Sequence, residues 1–203
     1  LERDISKIKS SSKYMLGLLN DILDMSKIES GRMEIRKEKC SFGDILENLI
    51  TLSHVMCDKN GITFYCNRKP DDYRDFMMNV DRLHMQQIAM NLISNASKYT
   101  PEGGRIDFLL DSEPKAPGII TIHVVIRDTG AGMSKEFQKV MYEAFTQDSN
   151  SVNKVGTGLG LAIVHNLVHL MGGTIDCISA PGEGTEFNIT MDVEVLSQTA
   201  PQS

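Results

Sequence analysis

"KVGTGLGLAIVHNL", residues 154–167, sets Gly156, Gly158 and Gly160 directly before an apolar run that reads as a helix. So little side chain at a helix front points to something bulky lying against the backbone. Two phosphate-cradling patterns fail on spacing. No glycine is followed by Lys-Ser or Lys-Thr in the frame G-x-x-x-x-G-K-[ST], and G-x-G-x-x-G counted from here ends on Leu161 or Ile163 instead of glycine.

Composition narrows the class around this stretch. With 203 residues and 41% hydrophobic content, the chain can bury one core of ordinary domain size and carry a short appendage. A formal charge of −6, with no Lys/Arg stripe interleaved with aromatics, argues against a nucleic-acid partner. An anionic ligand would depend on backbone dipoles and a few placed cations. Cys40, Cys57, Cys66 and Cys177 form no C-x-x-C pair and read as reduced thiols of a cytoplasmic protein. No apolar run approaches the ~18 residues of a membrane span, so no membrane contact is expected from this chain. It opens at Leu1 inside a helical pattern and reads as a fragment, which leaves a membrane-anchored parent open.

Residues 1–31 read as a stalk helix. Leu1, Ile5, Ile8, Met15, Leu19 and Ile22 advance by threes and fours, with Ser12 in one slot, a narrow seam suited to a coiled partner elsewhere; Ser30 and Gly31 stop it. Residues 32–195 read as one domain. In it "MEIRKEKCSF" is extended, a helix spans Gly43 to Asp58, "ITFYCN" and "FMMNV" are strands, and Asp81 caps a helix from Arg82 to Tyr99. "RIDFLLD" and "IITIHVVIRD" are strands joined by a loop over 112–118. Helices are expected over 134–142 and 159–170 with a polar loop at 146–155 between them, and "GGTIDCIS" with "GTEFNITMDVEV" makes a closing hairpin. The order implies an α/β sandwich, a mixed, largely antiparallel sheet covered by helices on one face. Residues 196–203 read as a disordered tail.

On the helix from Arg82, Met85, Ile88, Ala89, Leu92 and Ala96 form an apolar face. His84, Gln87, Asn91, Asn95 and Lys98 form a second stripe about 130° away, at roughly 100° per residue. Two carboxamides one turn apart offer hard oxygens to Mg²⁺, which takes its other ligands from phosphates and water, and the ammonium suits a phosphate oxygen. Taken alone, the stripe reads more readily as a solvated face than as a site. "RDTGAGM", 127–133, follows an apolar strand and presents Asp128 with Gly130 and Gly132. A strand-end carboxylate can accept a hydrogen bond from an exocyclic amine, which favours adenine over guanine. A tight turn with an Asx contact is the plainer reading of that motif by itself.

"NLISNASKYTPEGG", "DTGAGM", "YEAFTQ" and "GTGLGLAIV", in this order, resemble the N, G1, F and G2 boxes of a sensor histidine kinase catalytic domain, in the GHKL or Bergerat-fold ATPase superfamily. "LLNDILDMSKIESG" resembles the end of the second helix of that family's dimerisation hairpin. The resemblance implies the Bergerat fold, with ATP and Mg²⁺ as ligands. It implies Asn91 and Asn95 on the metal, Lys98 on the phosphates and Tyr99 beside the nucleotide. Asp128 would read adenine while Gly130 and Gly132 give the ring room. Phe145 would anchor a mobile lid over roughly 134–157. Gly156, Thr157, Gly158, Leu159 and Gly160 would bring the lid's end and the next helix front to the phosphates.

Departures from the family pattern sharpen the reading. Members phosphorylate a histidine followed by an acidic residue, and none of His54, His84, His123, His165 or His169 has such a neighbour, so the acceptor hairpin is expected to be absent. "HNLVH", 165–169, lacks the glutamate of H-E-x-x-H, so zinc is not expected. Hydrolytic relatives of the gyrase type carry a glutamate where this chain has Asn91, and a carboxamide is no general base. The expected function is the ATP-binding catalytic domain of a two-component sensor histidine kinase. In the intact homodimer it would pass the γ-phosphoryl group to a histidine of its own hairpin, for relay to the receiver-domain aspartate of a response regulator. A GHKL hydrolase or clamp, and a degenerate nucleotide-binding scaffold, are the alternatives.

Overall fold

The computed structural model describes residues 2–148 and 156–197. The tail expected over 196–203 overlaps the last strand, which runs to Ser197; its residues 198–203, and residues 149–155 of the polar loop expected over 146–155, lie outside the described residues. The chain opens with α1 (Glu2–Glu29), and the backbone turns away at Gly31, φ +64°. Met15, Leu19 and Ile22 of the expected seam are exposed, whereas Met25 and Met33 pack on the core of the domain. The side chains of Leu1, Ile5 and Ile8 lie outside the described residues.

Seven strands form one sheet: β1 (Glu38–Ser41), β2 (Thr63–Cys66), β3 (Met77–Val80), β4 (Arg105–Ala116), β5 (Ile119–Asp128), β6 (Thr174–Ala180) and β7 (Gly184–Ser197). Their order is β1-β3-β7-β5-β4-β2, with β6 also against β7. β2 runs parallel to β4, and the other described pairs are antiparallel. Period-two alternation decides which face is covered. Ile106, Phe108 and Leu110, Ile120, Ile122 and Ile126, and Phe187, Ile189, Met191 and Val193 are buried under the helices. The intervening positions carry polar cross-strand pairs, Thr121 with Asp192, His123 with Thr190 and Arg127 with Glu186. This is the expected one-faced sandwich.

The covering helices are α2 (Phe42–Lys59), α3 (Arg82–Tyr99) and α5 (Gly160–Leu170), with the four-residue α4 (Lys135–Gln138) between the last two. Ile163, Leu167 and Val168 of α5 are fully buried, each contributing roughly 1.5–3 kcal/mol. α3 begins where expected because Asp81 caps it. Its Oδ1 accepts from His84 N at 3.0 Å, and its Oδ2 accepts from Arg36 N and His84 Nδ1, both at 2.7 Å. Burial pushes the Asp81 carboxyl up, but these donors outweigh it and hold the group below its ordinary range.

Two expectations need correction. The supposed loop over 112–118 is mostly strand, because β4 continues to Ala116 with Pro114 opposite Ile120. β2 stops at Cys66, opposite Phe108, so β4 beyond that point is an edge, where proline is tolerated. The helix expected over 134–142 shrinks to α4. Val140 N bonds Phe137 O and Glu143 N bonds Val140 O, three-residue steps that tighten the chain out of α geometry. A 3₁₀ turn at Pro70–Tyr73 was not anticipated.

Candidate functional site

A cleft of about 320 Å³ lies between α3, the end of β5, the chain after Ala131 and the front of α5. Asn91, Asn95, Lys98, Tyr99, Asp128, Gly132, Gly156, Thr157, Gly158 and Gly160 all line it. Residues far apart in sequence, singled out by type, by spacing or by the family resemblance, thus converge on one space. Three others do not face it. Leu159 is fully buried in the core, Gly130 is buried behind Asp128, and the Phe145 ring is 69% exposed.

At one end, Asp128 terminates β5 with its carboxylate buried. Burial pushes its pKa up, while bonds from the N–H groups of Gly130 and Thr185 pull the other way. The Gly130 bond to Oδ1, at 2.8 Å, is the Asx contact of a tight turn, so the plainer reading of the motif holds while the group also lines the cleft. Carboxylate oxygens offer about four acceptor sites, and two backbone donors leave capacity for a ligand N–H. The glycines here serve the protein's own packing. A Cβ on Gly130 would lie 2.7 Å from Tyr99 O, and one on Gly132 would lie 1.9 Å from Ala180 O. Ala131 N also bonds Tyr99 O at 3.1 Å, which ties the loop to the end of α3.

The other end is assembled from α3 and the front of α5. Asn91 Nδ2 is buried without a partner among the described residues. Lys98 Nζ bonds Tyr99 Oη at 2.9 Å and would lie 2.8 Å from a Cβ on Gly156. A Cβ on Gly160 would meet Asn95 Nδ2 at 3.7 Å, an ordinary contact. Gly158 differs: its φ is +72°, and a Cβ would fall 2.7 Å from the Phe145 backbone carbon. Phe145 is held through that backbone, its N–H bonding Gly158 O at 2.9 Å with φ +64°. Phe145, expected to anchor a lid over 134–157, thus meets Gly158 through its main chain, and residues 149–155 of that expected lid lie outside the described residues.

Sequence reasoning missed several residues at the cleft. Thr185, from the closing hairpin, supplies the second donor to Asp128. Gln147 Nε2 bonds Gly156 O at 2.8 Å. Asp21 of α1 lines the cleft and pairs with Thr157. The stripe on α3 also divides: His84 is used by the Asp81 cap, and Gln87 Nε2 bonds Asp24 of α1 at 2.8 Å. His165 and His169 bring their Nε2 atoms to 3.0 Å of each other.

Fold and cleft together make a one-faced α/β sandwich whose gap is framed by a helix stripe, a strand-end aspartate and a glycine-rich helix front. Residues 80–195 match the histidine kinase-, DNA gyrase B- and HSP90-like ATPase family, and the chain belongs to it. It is 34% identical over 196 residues to the autoinducer 2 sensor kinase/phosphatase LuxQ of Vibrio parahaemolyticus, covering 95% of this chain and 22% of that one. It is 36% identical over 198 residues to the signal transduction histidine-protein kinase BarA of Escherichia coli, covering 95% and 21%. The chain thus spans about a fifth of the length of these relatives. Among solved structures, full-length ShkA in complex with AMPPNP superposes with a TM-score of 0.75 at 24% identity, covering 95% of this chain and 39% of that one. The Acinetobacter baumannii histidine kinase AdeS gives 0.70 at 20% identity, covering 95% and 84%.

Proposed function

We propose that residues 32–195 are the ATP-binding catalytic domain of a two-component sensor histidine kinase and that residues 1–31 are the end of its dimerisation hairpin. The observation that carries this is the placement of a buried strand-end carboxylate and a carboxamide–ammonium stripe on one cleft. Asp128 accepts the exocyclic amine of adenine with the acceptor capacity its two backbone donors leave. Tyr99, 38% exposed at the end of α3, lies beside the nucleotide. Lys98 neutralises a phosphate oxygen, and Gly156 to Gly160 let the front of α5 offer its N–H groups to the phosphates. Asn91 and Asn95 would hold Mg²⁺. The Asn91 Nδ2, without a partner among the described residues, supports this, since a half-turn about the terminal torsion presents the oxygen in its place. When bound, the ion supplies charge neutralisation and orientation of the phosphates.

The domain's task is then to position the triphosphate and exclude water while an imidazole from the hairpin attacks the γ-phosphorus. The bond to the bridging oxygen breaks, a P–N bond forms and ADP departs. A carboxamide at Asn91 cannot activate water, so hydrolysis without the acceptor is slow. In the intact protein the stalk pairs with a second copy, and a response-regulator receiver domain takes the phosphoryl group onto aspartate. The AMPPNP bound by ShkA supports ATP as the ligand. Labelled ATP offered together with a separately purified acceptor hairpin tests the proposal. Acid-labile, alkali-stable label on histidine is expected. Free phosphate alone would favour an ATP hydrolase, and binding without either product a scaffold.

A further inference from the structure

Thr157 joins the stalk to the glycine-rich front of α5. Its Oγ1 lies 3.3 Å from Asp21 Oδ2 and accepts from Leu159 N at 3.1 Å. One turn along α1, Asp24 accepts from Gln87 Nε2, and Gln87 stands one turn before Asn91 on α3. The two stalk carboxylates thus hold the same end of the cleft, but only Asp21 lines it. Lys98 is the one cation among the described lining residues. Burial pushes the Asp21 carboxyl up from its ordinary range, the Thr157 bond opposes this, and the nearby Asp24 charge adds to it. A partly buried carboxylate is weakly screened and repels further negative charge brought close to it.

We infer that Asp21 is a specificity-determining latch: it ties the stalk to Thr157 and selects against the added charge of a triphosphate, so that ATP loosens the stalk where ADP does not. This rests on the proposed nucleotide site and adds a residue outside the motifs that define it. Coupling is reciprocal, so whatever ATP loses in affinity through Asp21 the stalk loses in docking when ATP binds. Asp21→Asn keeps the shape and the hydrogen bond to Thr157 and removes only the charge. Asp24→Asn is the control, perturbing the stalk without touching the cleft.

Calorimetric titration of the parent chain and both variants with ATP and with ADP, magnesium present, tests the inference. Asp21→Asn is expected to tighten ATP about fivefold or more and ADP by less than about twofold, within the usual range of site coupling. Asp24→Asn is expected to leave the ATP-to-ADP ratio at the parent value. An unchanged ratio in Asp21→Asn, weaker ATP binding in it, or the same shift in Asp24→Asn overturns the inference while the nucleotide site stands. No binding of either nucleotide to the parent removes the site and the latch together. Hydrogen exchange over residues 16–28 gives a second readout, expected to rise with a non-hydrolysable triphosphate more than with ADP, in the parent but not in Asp21→Asn; equal protection contradicts the latch.

Discussion

The Asp128 end of the cleft is closed against itself, whereas the end formed by α3 and α5 is left incomplete. Asp128 receives two backbone donors, and the glycines around it have no room for a Cβ because other backbone lies there. Opposite it, Asn91 Nδ2 has no partner among the described residues, and Gly156 and Gly160 border side chains. Buried polar atoms are rarely left unpaired, since each costs about 1–3 kcal/mol. The contrast separates two tasks. On the proposed reading, the rigid end selects one base by fixed geometry and the unfinished end is completed by ligand oxygens.

The sharpest way to break this contrast is to add one methyl group at each end. A Cβ on Gly184 would lie 2.0 Å from Asp128 O, and its φ is +83°. Gly184→Ala is expected to cost roughly 3 kcal/mol or more in urea unfolding. Among the described residues a Cβ on Gly156 meets only Lys98 Nζ, a movable side-chain end, so Gly156→Ala should cost less than about 1 kcal/mol. Similar losses at both positions would erase the distinction.

Next in size is the loss of base recognition. Asp128→Asn should weaken ATP binding roughly 10- to 100-fold, the worth of a charge-assisted hydrogen bond, with little change in Tm. The pH dependence fixes the sign. Because the folded pKa is raised, ionised Asp128 subtracts from stability: its contribution is full below the unfolded value and is lost as pH rises through the folded one. At neutral pH the asparagine variant should thus be no less stable than the parent. ATP affinity runs the other way, falling in the parent as acid protonates the acceptor and staying flatter in the variant.

At the incomplete end, Asn91→Ala should cut magnesium-dependent nucleotide binding while shifting folding stability by less than about 1 kcal/mol, because it also removes an unpaired buried group. The smallest effect is expected at Phe145. It adopts φ +64° without being glycine, and its ring is largely exposed. Phe145→Gly should raise stability by roughly 0.5 kcal/mol, relief of strain offset by chain entropy. A clear loss would mean that the ring contributes packing.

Much of this was legible locally. Asp81 marked the start of α3, the period-two runs marked β5 and β7, and Asp128 at a strand end was visible as a candidate acceptor. What escaped depends on tertiary placement. Asp21 and Thr157 are 136 residues apart, and nothing in either local pattern announces their contact. The spacing of Gly130 and Gly132 is the same whether a missing side chain makes room for a ligand or for Tyr99 and Ala180. Pro114 looked like a loop residue until the early end of β2 made β4 an edge.

Titration calorimetry with magnesium, comparing ATP with GTP on the folded chain, addresses the purine clamp most directly. A saturable heat for ATP with little or none for GTP is predicted, because the guanine carbonyl would face the Asp128 carboxylate. No heat with ATP, or equal affinity for the two purines, would contradict the account.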